Sequence, residues 1–390
     1  MVKRYLDEML SGFLCLPEGP RGCVCLCARR HEALYEGSFG VANVEKGTPI
    51  APDTVFRIFS LTKLVVCTAA MMLYERGKFL LDDPISDYFP EYASSRLYVP
   101  GRDGGYTTRE AEQIIRVRHA FTMTCGLPYD IAGHTLSPLM IARTEALAKE
   151  LGWNYNIVEE VRAMADIPLF FEPGTHWLYG YGHELVAGLT QLLAGKPLHQ
   201  FLQEEIFEPL GMRDTGYRYR ADHRQRMCTL YKPDGKGGVV PSEGPRDRFH
   251  EPDANFDMGS AGLYATPRDY LAFTQMLANG GVTKDGRRLL SRRTIDMMRT
   301  NQLSGDALAD YQQSNGFGYG YGYGVRTRLA GPGYDNVPVG EFGWSGWCGS
   351  WASIDPSSGF SCVYMHQLLP DQAPYCHPRV RAAVYSLFGE

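Results

Sequence analysis

The sequence predicts an α+β fold: one antiparallel sheet flanked by helices, built from both ends of the chain, with a helical insertion domain between. Three observations carry this. Strand-like segments open the chain and close it, helix and loop fill the middle, and no repeat with a period of 20–50 residues runs through it. The 390 residues allow two or three domains. We read residues 1–84 and 256–390 as one discontinuous sheet domain and 85–255 as a mainly helical domain, with the site between them.

Composition narrows the class of protein. Hydrophobic residues are 44% and charged residues 21%, which is globular usage and excludes a disordered or fibrous chain. Lys plus Arg is 39 against 44 for Asp plus Glu, a net charge of −5, so neither nucleic acid nor a membrane is an expected partner. The longest strongly apolar run, Leu64 to Tyr74, falls short of the ~20 residues that span a bilayer.

The elements follow in order. Residues 1–13 read as an amphipathic helix. Lys3 and Arg4 would suit a secretory leader, but Asp7 and Glu8 interrupt its apolar core, so a cytoplasmic location is expected. The ten cysteines are then expected as free thiols. Cys23, Cys25 and Cys27 alternate along a strand at 20–30 and so share one face. Without C-x-x-C spacing they read as small buried residues, not metal ligands. A second strand covers 32–42 and a short one Thr54–Ile58. Ser60–Arg76 is a helix, apolar nearly all round and therefore buried, and Gly77 ends it. Helices are expected at 108–124, 143–165, 183–194 and 198–207, with polar loops at Gly101–Gly105 and Asp234–Pro245. Thr266–Gly280 is a helix with Pro267 in its first turn, and 293–298 is helical. Strands return at 316–329, 339–344, 347–354 and 359–367, and a helix covers 378–388. The alternating glycine and aromatic residues at 316–324 give a strand with rings on one face, for packing or for lining a substrate site. They contain no G-x-G-x-x-G, so a dinucleotide site is not implied.

Three segments carry chemistry. Ser60 and Lys63, in Phe59-Ser60-Leu61-Thr62-Lys63, lie three apart at a strand-to-helix junction and so on one helical face. The first turn of a helix has free N–H groups and a positive dipole end that favour a developing oxyanion. Burial of Lys63 among Leu64, Val65, Val66 and Met71 disfavours its ammonium form, and a neutral lysine can accept a serine proton. The alternative is a helix-capping serine beside a solvated lysine. The second segment runs from Glu172 to Gly188 and places Tyr179 in a loop just before a helix, as a proton relay or as a core aromatic. The third, Gly340 to Trp351, is glycine-rich, and a strand N–H there can pair with that of Ser60 as an oxyanion hole. His119, His134, His176 and His183 sit in no triad-like context, although His176 and His183 flank Tyr179 and are candidates to line the pocket.

In this order the segments resemble the serine β-lactamase and penicillin-binding-protein superfamily, in its class C branch and closest to the family VIII carboxylesterases. Arg116-Val-Arg-His-Ala-Phe-Thr-Met-Thr-Cys-Gly-Leu-Pro, Glu208-Pro-Leu-Gly-Met-Arg-Asp-Thr and Gly259-Ser-Ala-Gly-Leu-Tyr-Ala-Thr-Pro extend the resemblance over most of the chain. It implies a β-lactamase/transpeptidase-like fold. It implies Ser60 as the acylated nucleophile, Lys63 as its base, Tyr179 as the motif tyrosine, and Ser60 and Trp347 as the backbone donors of the oxyanion hole. Trp344-Ser345-Gly346 takes the place of the Lys-Thr-Gly motif, and no metal or organic cofactor is implied.

Two departures choose the subfamily. Tyr181 stands where the Tyr-x-Asn motif has its asparagine, and Trp344 stands where the third motif has a cation. Tyr181, Trp344, Ser345 and Gly346 would then line an aromatic, largely uncharged substrate site. The resemblance thus implies a serine hydrolase for small-molecule esters of apolar or aryl type, with acyl transfer as a related outcome. A β-lactamase or D-alanyl-D-alanine carboxypeptidase-like activity is the alternative, and a binding relative without catalysis is a third.

Overall fold

Segments from the two chain ends meet in one eight-stranded sheet. A computed structural model describes residues 2–102, 104–129, 133–244, 247–332 and 335–389. The sheet strands are β1 (Gly22–Arg29), β2 (Glu32–Asn43), β3 (Thr48–Pro49), β4 (Tyr319–Tyr321), β5 (Arg326–Arg328), β6 (Phe342–Gly346), β7 (Ser350–Asp355) and β8 (Phe360–Met365). They lie in the order β4-β5-β6-β7-β8-β1-β2-β3, each pair antiparallel. The N-terminal hairpin joins the C-terminal meander at β1 and β8, where Cys27 faces Cys362.

Strand periodicity decides what covers each face. Val24 and Leu26 of β1 point into the main core, with Val363 and Met365 of β8. Cys23, Cys25 and Cys27 point the other way, into a smaller core. That second core is closed by α1 (Val2–Phe13), through Leu6, Leu10 and Phe13, and by the C-terminal helix Ala373–Phe388, through Val380 and Val384. All ten cysteines are free, and every one except Cys15 is buried.

On the main-core face lies α2 (Thr62–Glu75), in which every residue from Thr62 to Leu73 is buried. It packs on α3 (Gly182–Ala194). A helix enclosed by other elements has no solvated stripe, which accounts for its apolar circumference. Beside it, α4 (Pro267–Ala278) packs on β8, β1 and β7. Among the described residues no helix is long and apolar enough to cross a membrane.

Several expected elements are redrawn. The helix read at 108–124 is a strand, Tyr106–Glu110, paired with Arg96–Pro100, followed by turns and a short helix at Val117–Phe121. Thr107 and Thr108 suit a strand, and the hairpin is mostly exposed, so it leaves no hydrophobic period to read. The helix read at 143–165 is two, Ser137–Leu151 and Ile157–Ala163. Gly152, at φ 67°, breaks it, and the Asn156 side chain accepts from the N–H groups of Val158 and Glu159 to start the second. The strand read at 316–329 is a pair, β4 and β5, folded back at Gly324 with φ 83°. Its tyrosines pack: Tyr319, Tyr321 and Tyr323 are all buried. The preceding helix, α5 (Gly305–Asn315), was not anticipated. The last helix begins at Ala373 and carries Pro378 inside it.

Six histidines are buried, and five of them are held neutral with pKa values far below the free one. Burial is the first cause in each case, lowering the pKa of His119 and His250 to about 4 and of His183, His366 and His377 to about 3. Their folded values lie below the unfolded value of ~6.5, so the unfolded chain takes up protons first as the pH falls. Each group withdraws on the order of 1–2 kcal/mol by pH 5. Stability should therefore be flat only near pH 7–8 and fall steeply between about pH 6.5 and 4, read as the urea midpoint at half-unit pH steps.

Candidate active site

The nucleophile segment leaves a short strand, Phe56–Arg57, paired with Tyr264–Ala265. Ile58 N–H donates to Leu263 C=O at 3.1 Å, and the chain then turns sharply at Phe59, with φ 43°. A non-glycine residue in that region costs about 1–3 kcal/mol, so the surroundings must impose it. Phe59 is packed against Leu230 and Cys348, and its ring meets Trp347 edge-on at 5.5 Å. Ser60 follows on one turn of tight helix that runs into α2. The turn is pinned from below by Tyr270 Oη donating to Leu61 C=O and by Leu263 N–H donating to Thr62 Oγ1.

Lys63 lies beneath Ser60 with no exposed surface. Its Nζ donates to Ser60 Oγ at 3.1 Å and to Ser260 C=O at 2.7 Å. It also lies over the rings of Tyr179, at 4.8 Å, and Tyr129, at 5.3 Å. These groups replace the water that a buried cation loses. The Ser260 carbonyl is itself oriented. Buried Glu184, on α3, accepts from the N–H groups of Gly259 at 2.6 Å and Ser260 at 3.1 Å. A side chain at Gly259 would strike Ala187 and the His183 carbonyl, so the loop reaches Glu184 only as glycine.

Tyr179 arrives from the other side. Its loop is stitched to 127–128, where Tyr181 N–H donates to Leu127 C=O and a Cβ on Gly180 would sit 2.2 Å from that same oxygen. Trp177 stacks on the Tyr179 ring at 6.0 Å. Trp344 Nε1–H donates to Tyr179 Oη at 3.2 Å. The residue in the cationic motif position thus presents a neutral donor to the tyrosine oxygen.

Ser345 and Gly346 follow Trp344 along β6, and all three line one cavity with Ser60, Tyr179 and Trp347. A Cβ on Gly346 would lie 2.1 Å from the Ile58 carbonyl, so glycine lets β6 approach the turn that carries Ser60. Tyr181 is a correction. It does not line this cavity; it is buried, and its hydroxyl donates to Glu160 Oε2 at 3.0 Å. Being two residues on from Tyr179, it begins α3 and turns into the helical core. His183 also turns inward and donates to the Phe121 carbonyl, whereas His176 faces the cavity.

The cavity has a volume of about 1260 Å³. Phe170, Phe171, Trp177, Tyr217, Phe249 and Phe256 give it aromatic walls. Its charged groups are largely neutralised. Arg57 makes a two-point ion pair with Asp247, at 2.8 and 2.6 Å. His176 Nδ1 meets Asp310 at 2.8 Å, and Asp310 also accepts from Trp177 N–H. Burial raises the pKa of Asp371 at the rim. Asp310 and Glu184 escaped the sequence reading. The first lies on the unanticipated α5, and the second is adjacent to His183 in a helix that read as ordinary core.

The family model described as Beta-lactamase matches residues 18–385. The chain belongs to the beta-lactamase family. Protein Rv1367c of Mycobacterium tuberculosis is 30% identical over 357 residues, covering 90% of this chain and 86% of that one. Esterase EstB of Burkholderia gladioli is 31% identical over 282 residues, covering 67% and 66%. The structure of simvastatin synthase (LovD) from Aspergillus terreus shares the fold, with a TM-score of 0.83 at 23% identity over 99% of this chain and 98% of that one. The family's fold is the α+β arrangement expected from the sequence.

The Glu184 bridge has a measurable weight. Glu184→Gln keeps one acceptor oxygen where two N–H groups need satisfying, which costs about 1–3 kcal/mol. Urea unfolding should show that loss, and Ser60 should label more slowly with a fluorophosphonate in the variant.

Proposed function

We propose that the protein is a serine hydrolase that cleaves carboxylic esters of apolar or aryl type through an acyl-Ser60 intermediate. The observation that carries this reading is the hydrogen bond from fully buried Lys63 to Ser60 Oγ, at the floor of a large aromatic cavity. On this reading the cleft lies between the sheet domain, 1–84 with 256–390, and the helical domain, 85–255.

Lys63 and Tyr179 together take the Ser60 proton as Oγ attacks the ester carbonyl. The backbone N–H groups of Ser60 and Trp347 hold the oxyanion, each donor worth ~2.7–4 kcal/mol. The proton then passes to the leaving alkoxide, the C–O bond breaks, and the alcohol departs. Water, deprotonated by the same groups, attacks the acyl-serine and releases the acid. An acceptor alcohol in place of water gives acyl transfer, and the cavity has room for both parts of such a substrate. Trp344, donating to Tyr179 Oη, stabilises negative charge there as a proton leaves, and Ser345 and Gly346 border the substrate.

The charge balance disfavours a lactam or peptide carboxylate. Trp344 supplies no cation, and Arg57 is occupied by Asp247. The test is turnover of short-chain and aryl nitrophenyl esters, with nitrocefin alongside. Ester hydrolysis should be robust and fall at least 10³-fold in Ser60→Ala. Nitrocefin turnover without ester turnover would replace the proposal with the lactamase reading. Trp344→Phe, which keeps the ring and removes the N–H, should lower kcat about tenfold with KM little changed, the loss of about 1.4 kcal/mol expected for one transition-state hydrogen bond.

A further inference from the structure

A second cavity, of about 410 Å³, shares two walls with the catalytic one. Pro173, Gly174 and Thr175 line it, whereas His176, Trp177 and Tyr179 of the same segment line the first. Ser304 and Ala307, at the start of α5, face the second cavity, while Asp310 of α5 faces the first. The two cavities differ in chemistry. The second is lined by Arg116, Arg118, His119, Thr122, Thr124 and Gln302, among others, and among the described residues by no carboxylate.

Its donors remain available. Arg116 and Arg118 both lean on Asp82, whose side chain is 71% exposed, so solvent screens that pairing. A guanidinium carries five N–H donors, so each arginine keeps others free. Of the carboxylates next to the lining in sequence, Glu172 is engaged by Arg109 and by the N–H groups of Glu112 and Gln113, Glu112 pairs with Arg109, and Asp306 lies in the first turn of α5.

His119 is the informative residue. It is more than nine-tenths buried, and its Nδ1 accepts from Arg116 N–H at 3.2 Å. The hydrogen bond assigns the ring proton to Nε2. Nε2 points to the cavity wall at Gly174, where an added Cβ would come within 3.1 Å of it. Among the described residues nothing hydrogen-bonds to Nε2. A ring N–H of a buried histidine, with no protein partner among the described residues, faces a space that two arginines border. Burial, then the charges of Arg118 and Arg116, keep this histidine neutral at ordinary pH, with a pKa of about 4. At the mouth, Ser304 is the N-cap of the eleven-residue α5, and its hydroxyl makes no capping hydrogen bond. The positive end of that helix adds to the same field.

We propose that the second cavity binds the phosphate group of a small phosphate monoester, with Arg116, Arg118 and His119 Nε2–H donating to its oxygens. The volume lies in the ~300–1,000 Å³ range of small-molecule sites, which leaves room for an organic portion beside the oxyanion. The site is separate from Ser60 and goes beyond the ester chemistry assigned to it.

Calorimetric titration of the full chain at pH 7.5 and low salt tests this, with glycerol 2-phosphate and inorganic phosphate as probes. The monoester should bind at one saturable site per chain, with Ser60→Ala unchanged. Arg118→Gln should weaken binding at least tenfold. Ser304→Asp places a negative charge at an exposed position of the mouth, where Asp is a good helix cap, and should abolish binding with no loss of melting temperature. That variant keeps the test decisive if Arg118→Gln folds poorly. No saturable binding of either probe would overturn the proposal. So would binding that survives both Arg118→Gln and Ser304→Asp, or binding that is lost in Ser60→Ala. Binding of inorganic phosphate with the monoester excluded would overturn the monoester assignment.

Discussion

The burial of Lys63 is the constraint on which the rest of the structure depends. An ammonium group without water is unfavourable by several kcal/mol unless polar groups surround it. The fold meets that demand from three directions: the Ser60 hydroxyl, the Ser260 carbonyl, and the faces of Tyr179 and Tyr129. Each needs its own support. Glu184 orients Ser260, the 127–128 segment holds the Tyr179 loop, and Tyr270 and Leu263 pin the turn at Ser60. The apolar circumference of α2 follows from the same demand, since a solvated stripe there would let water reach the lysine.

The aromatic character of the cavity is tied to one substitution in the motif. With Trp344 on β6, the wall facing Tyr179 is a ring with one N–H donor, and further rings extend it in both directions: Tyr321 at 5.2 Å and Tyr179 at 5.6 Å. A cation in that position would need an anion or water nearby, and rings cannot serve. The neutral wall and the paired Arg57 are therefore two parts of one electrostatic solution. Close approach of backbone completes it, because glycines at 180, 259 and 346 stand where any Cβ would collide.

Legibility in the sequence follows the range of the interactions. Ser60 and Lys63 were legible because three residues on one helix share a face whatever surrounds them. Tyr179 and Trp344 were legible through a motif resemblance, and the two-ended sheet through the order of strand-like segments. The orientation of Tyr181 was not legible. Two residues beyond Tyr179 the chain enters α3, and which way the ring turns depends on Glu160, a residue far away in the chain. Asp310 was hidden for a related reason. Its helix is short and polar, with only Ala307 and Tyr311 buried, so it has little period to detect. The hairpin at 96–110 is mostly exposed, with Leu97 its one buried residue, and so carries little burial pattern. The second cavity combines segments near 118, 174 and 304, and nothing local announces their meeting.

The thiol-lined face of the sheet has a consequence for how the protein can be watched. Nine of the ten sulfurs are buried, behind the terminal helices, within the main core or, for Cys348, beside Phe59, and burial raises the pKa of the thiols at Cys23, Cys27 and Cys362. Alkylating reagents act on accessible thiolates. The native chain thus offers Cys15 alone, and each further sulfur becomes reactive only when its own layer opens. Those on β1 and β8 report whether the two chain ends remain joined across the sheet, while Cys67 and Cys348 report on the layers beneath and beside Ser60. The distribution of cysteines is in effect a set of internal timers, able to show which half of the molecule loosens first.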